Sequence, residues 1–186
     1  MGRNRALLTV AVLLTTGIPS YALAQVESTP IPASAKPDFS SMSFLLGPWS
    51  CSTKSSRRPA AFATSVNYAL DPTGYWLNQT STVRPLSWMT RGLTTWDKIT
   101  YDADTKRWVD VSYDNAGGYG LSVSSGWNGD KIVWHDVSFA PGAQIATQSN
   151  LTTIKVSPTR YQTGSSFTEA KTGRTVNVAT VCTKRA

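Results

Sequence analysis

From Trp49 to the C-terminus the chain never holds a helical period. Runs of six to ten residues rich in Thr, Val, Tyr and Trp are cut by turn clusters. This is the signature of short strands on a half-buried sheet. The expected strands are a first one that opens at Trp49 and contains Cys51, then 61–70, 75–83, 92–101, 107–113, 119–125, 131–139, 145–156, 160–169 and 174–184. Between them stand Asp71-Pro72-Thr73-Gly74, Asp102 to Lys106, Asn115 to Gly118, Asn128-Gly129-Asp130, Pro141-Gly142, Pro158-Thr159 and Lys171-Thr172-Gly173. Asn-Gly and Asp-Pro are strong turn signals. Nine or ten strands joined by short turns pair as an antiparallel meander. A sheet this wide curls or splits, and closing it removes the exposed edges. The fold class is therefore all-β: an up-and-down barrel of 9–10 strands. A two-sheet sandwich shares the same strand spacing. A propeller needs at least four blades of about 40 residues, too many for this length.

Two cysteines reinforce closure. Cys51 falls in the first strand and Cys182 in the last. An even count in an exported chain reads as a disulfide. First and last strands are neighbours only if the sheet closes on itself.

Export is read from the N-terminus. Arg3 and Arg5 precede the apolar run Leu7–Leu14, which is too short to span a bilayer, and Ala22-Leu23-Ala24 is a small-x-small cleavage site. Residues 1–24 are expected to be a signal peptide, leaving Gln25 as the mature N-terminus. Residues 25–37 hold three Pro among Ser and Ala and read as a flexible linker. The domain is expected over 38–186. It should open with one short helix near Asp38–Leu46, capped by Asp38 or Ser40 and ended by Gly47-Pro48.

Losing Arg3 and Arg5 lowers the formal charge from +7 to +5. The basic residues are scattered, apart from Lys54, Arg57 and Arg58, and Lys184 and Arg185 at the tail. No Lys/Arg stripe for nucleic acid is present, and no other segment is apolar enough for stable membrane insertion. Oligomeric state is not legible.

The span Leu45-Leu46-Gly47-Pro48-Trp49, a short apolar helix running into Gly-x-Trp, resembles the entry of the calycin barrels: lipocalins, fatty-acid-binding proteins and nitrobindin-like proteins. Phe39 to Cys182 is similar to small exported bacterial proteins of unknown function. They share an FLLG-x-W entry and a YD-x-x-x-x-x-W hairpin, here Tyr101-Asp102 to Trp108. The resemblance implies a barrel whose interior holds a small apolar ligand. It also implies that Trp49 plugs the closed end against a basic residue of the last strand, Lys184 or Arg185. Nitrobindin-like proteins bind haem through a His near the C-terminus. The single His here is His135, in mid-chain, so no cofactor is expected.

Alternation assigns the interior. Phe62, Thr64, Val66, Tyr68 and Leu70 share one face of a strand. The expected ligand-binding lining is Phe62, Val66, Tyr68, Val109, Val111, Tyr113, Val133, His135 and Phe139. His135 is the one candidate acid or base. Glu occurs only at 27 and 169, so any acid–base carboxylate would be an Asp. Asp102-x-Asp104 has the spacing of a calcium loop without its Gly and distal Glu, which leaves it a turn. One His makes no usual zinc site, and no nucleophile elbow, phosphate loop or dinucleotide fingerprint occurs.

Three functions remain. A ligand-binding barrel requires a cavity. A barrel enzyme requires His135 inside it, within reach of a polar partner. A structural or interaction protein requires a filled core and an outer aromatic patch. The first is favoured, because catalytic side chains are so sparse.

Overall fold

The computed structural model describes residues 35–139, 145–148 and 150–185. The expected signal peptide and most of the expected linker lie outside the described residues. The chain from Ala35 onward forms one compact unit.

A 3-10 helix, Ser40–Leu45, leads into twelve strands: β1 Gly47–Ser55, β2 Phe62–Leu70, β3 Leu77–Val83, β4 Leu93–Asp102, β5 Arg107–Asp114, β6 Tyr119–Ser124, β7 Trp127–Asn128, β8 Lys131–Phe139, β9 Ile145–Gln148, β10 Leu151–Ser157, β11 Arg160–Glu169 and β12 Thr175–Lys184. All pairings are antiparallel. β1 to β6 follow one another, β6 pairs β8, β8 pairs β10, and β10, β11 and β12 lead back to β1. The result is a closed barrel of ten strands. The two-residue β7 extends the wall beside β8, and β9 pairs β11 beyond the end of β10. The sequence places a single strand over 145–156; the structure divides it into β9 and β10.

The closing seam runs through the disulfide. Cys51 and Cys182 are directly opposed in the β1–β12 register, with Cα atoms 4.0 Å apart and the sulfurs bonded. With ten strands, β1 and β12 run antiparallel. Arg57 and Arg58 therefore follow β1 at one end of the barrel, while Lys184 and Arg185 finish β12 at the other.

That second end is closed. The Asp38 Oδ1 accepts from the amide of Ser40 at 2.9 Å, but the N-cap position itself falls on Phe39, whose side chain makes no capping bond, and not on Asp38 or Ser40. The helix residues Met42 and Leu45, with Phe39, are buried against Trp49, Leu77, Ile99, Trp108, Ile132 and Trp134. Trp49 is fully buried. Its indole N–H donates to the Leu45 carbonyl at 2.6 Å, and the Lys184 Nζ lies 5.4 Å from its ring centre while donating to the Phe44 carbonyl at 3.0 Å. Tyr161 meets Trp49 edge-on, centroids 4.8 Å apart.

The turns follow their residues. Asp71 Oδ1 accepts from the amides of Tyr75 and Trp76, both at 3.1 Å. Asp102 accepts from the Asp104 amide at 3.0 Å and the Thr105 hydroxyl at 2.7 Å, which is turn chemistry. Gly129, at φ +59°, opens the two-residue loop between β7 and β8, a left-handed conformation that suits glycine.

Candidate functional site

At the end opposite Trp49 the barrel holds a cavity of about 460 Å³. Its walls come from the inward positions of neighbouring strands. β1 and β2 supply Thr53, Ser55, Phe62, Thr64 and Val66. β3 and β4 supply Ser81, Val83 and Leu93, and β11 and β12 supply Tyr161, Thr163, Phe167, Val178, Thr180 and Cys182. The lining is mostly apolar, crossed by a belt of hydroxyls. Thr53 Oγ1 lies 3.2 Å from Thr64 Oγ1 and 3.0 Å from Thr180 Oγ1. These hydroxyls satisfy one another across three strands, so the wall can hold a polar ligand atom without a standing unpaired group.

Two loops form the mouth. The β1–β2 loop carries Arg57 and Arg58, and the β3–β4 loop carries Trp88 and Met89. The Arg58 guanidinium carbon lies 4.5 Å from the centre of the Trp88 ring, and Phe62 meets the same ring edge-on at 5.7 Å. Arg57 pairs with Glu169 at the end of β11, and Glu169 also accepts from Arg174 at 3.2 Å. The hydroxyl of Thr172, followed by Arg174 and Arg57, holds the Glu169 carboxyl below its ordinary range. Gly92 ends the β3–β4 loop at φ +66°, where a Cβ would stand 2.8 Å from the Val83 carbonyl oxygen. Only glycine lets the loop turn back this tightly.

Behind the cavity lies a layer the sequence reading passed over. Tyr68 and Tyr161 bring their hydroxyls to 3.5 Å. Burial pushes Tyr161 up to about 12; burial, then the neighbouring Tyr161, raises Tyr68 well above its ordinary value. Two residues along β3 from Ser81, the Gln79 amide donates to Asp97 Oδ2 at 2.6 Å. Burial pushes Asp97 up to about 7 against the lowering effect of that bond. Asp110 on β5 is raised well above the carboxylate range by burial, then by Asp97 and Asp136. Asp136 on β8 accepts from the Ser122 hydroxyl at 2.8 Å.

The expected lining divides. Phe62 and Val66 border the cavity, and Tyr68 points inward behind it. Val109, Val111, Tyr113, Val133 and His135 stand on the outer wall. The register decides this: Asp110 opposes Ile99 and Ser122, Trp108 opposes Tyr101 and Ser124, and Ile132 and Trp134 are buried. Their odd-numbered neighbours on β5 and β8 therefore face out. Val111 is 40% and Tyr113 45% exposed. Phe139 ends β8 opposite Gly120, past a bulge at Val137 where the β6–β8 register shifts. That shift breaks the simple alternation that groups His135 with Phe139.

His135, the one acid–base candidate, hydrogen-bonds through Nδ1 to Asn150 Oδ1 at 3.0 Å on the exposed surface and does not face the cavity. The outer wall instead carries an apolar stripe. Val109, Leu121, Val123 and Val137 line a shallow groove. Beside it Trp96 stacks on Tyr113 at 5.3 Å, and Tyr119 is 59% exposed.

No family model matches the sequence, and no curated protein matches it. Among solved structures, Rv2717c from M. tuberculosis is similar in fold. Its TM-score is 0.58 at 16% identity over 82% of this chain and 100% of that one. EF1p2_mFAP2b, solved bound to DFHBI, gives a TM-score of 0.40 at 9% identity over 77% of this chain and 96% of its own. A protein of unknown function of the DUF3598 family from Nostoc punctiforme gives 0.39 at 15% identity, over 86% of this chain and 53% of its own. The first of these likenesses speaks for the barrel fold; none of them speaks for function.

Proposed function

We propose that this chain is an exported, calycin-like barrel that binds a small apolar or amphipathic molecule. In this reading residues 1–24 are a signal peptide, 25–37 a tether and 38–186 the binding domain, and the protein works in the periplasm or outside the cell. The observation that carries the binding reading is the cavity of about 460 Å³ lined by Val66, Val83, Leu93, Phe167 and Val178. Its size falls in the range of small-molecule sites, and an apolar wall with a few placed hydroxyls is their usual make-up. The disulfide supports export, since such bonds persist in oxidising compartments. Among the described residues no helix is long and apolar enough to cross a membrane.

Export is tested by the intact mass of protein recovered outside the cytoplasm: the oxidised chain should begin at Gln25. Binding is tested by the fluorescence of 1-anilinonaphthalene-8-sulfonate. The dye should light up with the native protein and lose affinity in Val66→Trp, which fills the cavity. A dye response equal in Val66→Trp would place the dye on the outer stripe and refute the cavity as the site. A second reading, association between copies of this chain, is supported by that exposed stripe of Val111, Tyr113, Tyr119 and Val137. It predicts concentration-dependent association in light scattering, lost in Tyr119→Lys.

A further inference from the structure

We infer that the ligand is an amphipathic anion, whose charged head is received by Arg58 at the mouth while its apolar body fills the cavity. This inference rests on the cavity being the binding site. Its basis is the state of Arg58. Two cations line the cavity, Arg57 and Arg58, and they differ in what they already hold. Arg57 is paired with Glu169. Among the described residues no carboxylate pairs with Arg58. Its guanidinium lies over the Trp88 ring, 4.5 Å from the centre, and its Nε is buried with no hydrogen-bond partner.

A ring face attracts a cation but takes up none of the guanidinium N–H donors in an ordinary hydrogen bond. Arg58 is thus drawn partly out of water with no counter-charge, a state that costs folding free energy. An anionic head with two oxygens matches the guanidinium fork and completes it; a neutral head does not. Other cations of the barrel already have acceptors. Arg174 shares Glu169 with Arg57. At the closed end Lys184 donates to the Phe44 carbonyl at 3.0 Å and Arg185 to the Ser65 hydroxyl at 2.6 Å.

The surroundings favour the same sign. Beside Arg57 and Arg58, the β1–β2, β3–β4 and β11–β12 loops carry Arg84, Arg91, Lys171 and Arg174. The acids that end strands here are Glu169, shared by two arginines, and Asp114, whose Oδ1 accepts from the amides of Ala116 and Gly118. A rim of one sign draws an ion of the other toward the opening. The loop that carries Arg58 is set before any ligand arrives. The Arg58 amide donates to the Ser55 carbonyl at 3.0 Å, and Ser56 exchanges bonds of 2.9 and 3.0 Å with Asn177 on β12. Little ordering then remains to oppose binding. Phe62 and Trp88 both line the cavity and meet edge-on, so the apolar wall continues to the ring beneath the guanidinium. Deeper in, the hydroxyls of Thr53, Thr64 and Thr180 are neutral and already bonded to one another. The charge therefore stays at the mouth and the apolar body points inward.

The test uses decanoate, decanol and decylamine, which share one body and differ in the head. Each is titrated by calorimetry into the oxidised protein at neutral pH. Decanoate should bind about tenfold or more tighter than decanol, as charge-assisted hydrogen bonds allow. Arg58→Gln should remove that preference and leave decanol binding unchanged. Arg84→Gln removes a rim charge outside the cavity lining and should keep most of the preference. On the unaltered chain the NMR signal of the Arg58 Nε–H should shift with decanoate and stay in place with decanol, so the test survives a variant that folds poorly. Equal binding of decanoate and decanol, or tighter binding of decylamine, overturns the anion assignment while leaving the cavity as a binding site. A preference that persists in Arg58→Gln, an equal loss in Arg84→Gln, or an Arg58 signal blind to decanoate overturns Arg58 as the receiving group. Failure of all three probes overturns both the anion and the cavity.

Discussion

Removing the Cys51–Cys182 bond should be among the costliest changes short of emptying the core. The bond joins residues 131 apart. Cross-linking a loop of that length removes about 17 cal/mol/K of entropy from the unfolded chain, or about 5 kcal/mol at 25 °C. The native strands are already adjacent at this point, since Trp49 to Ser55 pair with Lys184 to Val178 on either side of the bond. The double variant Cys51→Ala/Cys182→Ala can therefore keep the same register, and the loss falls mainly on the unfolded state. Two consequences follow. The midpoint of urea unfolding, followed by tryptophan fluorescence, should drop by the equivalent of about 3–5 kcal/mol, and the melting temperature by about 10–20 °C. The slope of free energy against urea should also rise, because the released chain exposes more surface. Trp49 is a suitable reporter, being fully buried against Tyr161. A loss below about 1 kcal/mol with an unchanged slope would refute the argument. It would mean that the unfolded ensemble keeps its ends together without the bond.

Trp49→Ala should cost about 3–5 kcal/mol in the same urea assay, since it empties the closed end and strands the Leu45 carbonyl. Burial raises Asp97 to about 7 from 3.8, so its contribution is present in full below the unfolded value and disappears as pH climbs through about 7. Stability should decline between about pH 4 and pH 7, by up to an amount on the order of 4 kcal/mol; Asp97→Asn should lessen that slope, and a rise in stability over that window would contradict it. His135→Ala removes only an exposed bond to Asn150. It should change stability by less than about 0.5 kcal/mol and leave dye binding unaltered.

Trp49, Cys51 and Cys182 took the positions their sequence context indicates. The plug at Trp49 was legible only through the resemblance of its Gly-x-Trp entry to the calycin barrels. Two cysteines in the first and last strands of a meander have one way to meet. The turns were legible for a similar reason: Asp71, Asp102 and Gly129 act through bonds within a few residues of themselves. Strand boundaries over 60–139 follow from the same local chemistry.

The functional interior was not legible, and β5 shows why. Its sequence Arg107–Asp114 alternates two sets, and hydrophobicity nominates Val109, Val111 and Tyr113 for the inside. The fold turns Trp108, Asp110 and Ser112 inward instead, and buries Trp108. Alternation says only that the two sets lie on opposite faces. Which face turns inward is decided by pairing with β4 and β6, where Ile99 and Ser122 stand opposite Asp110. The bulge at Val137 resets the alternation once more on β8. Local residue chemistry thus determined the strands, the turns and the closing bond, because those depend on near neighbours and on two unique thiols. Only the closed barrel decided which side chains share its inside, because that choice is made by strands distant in sequence settling into one register.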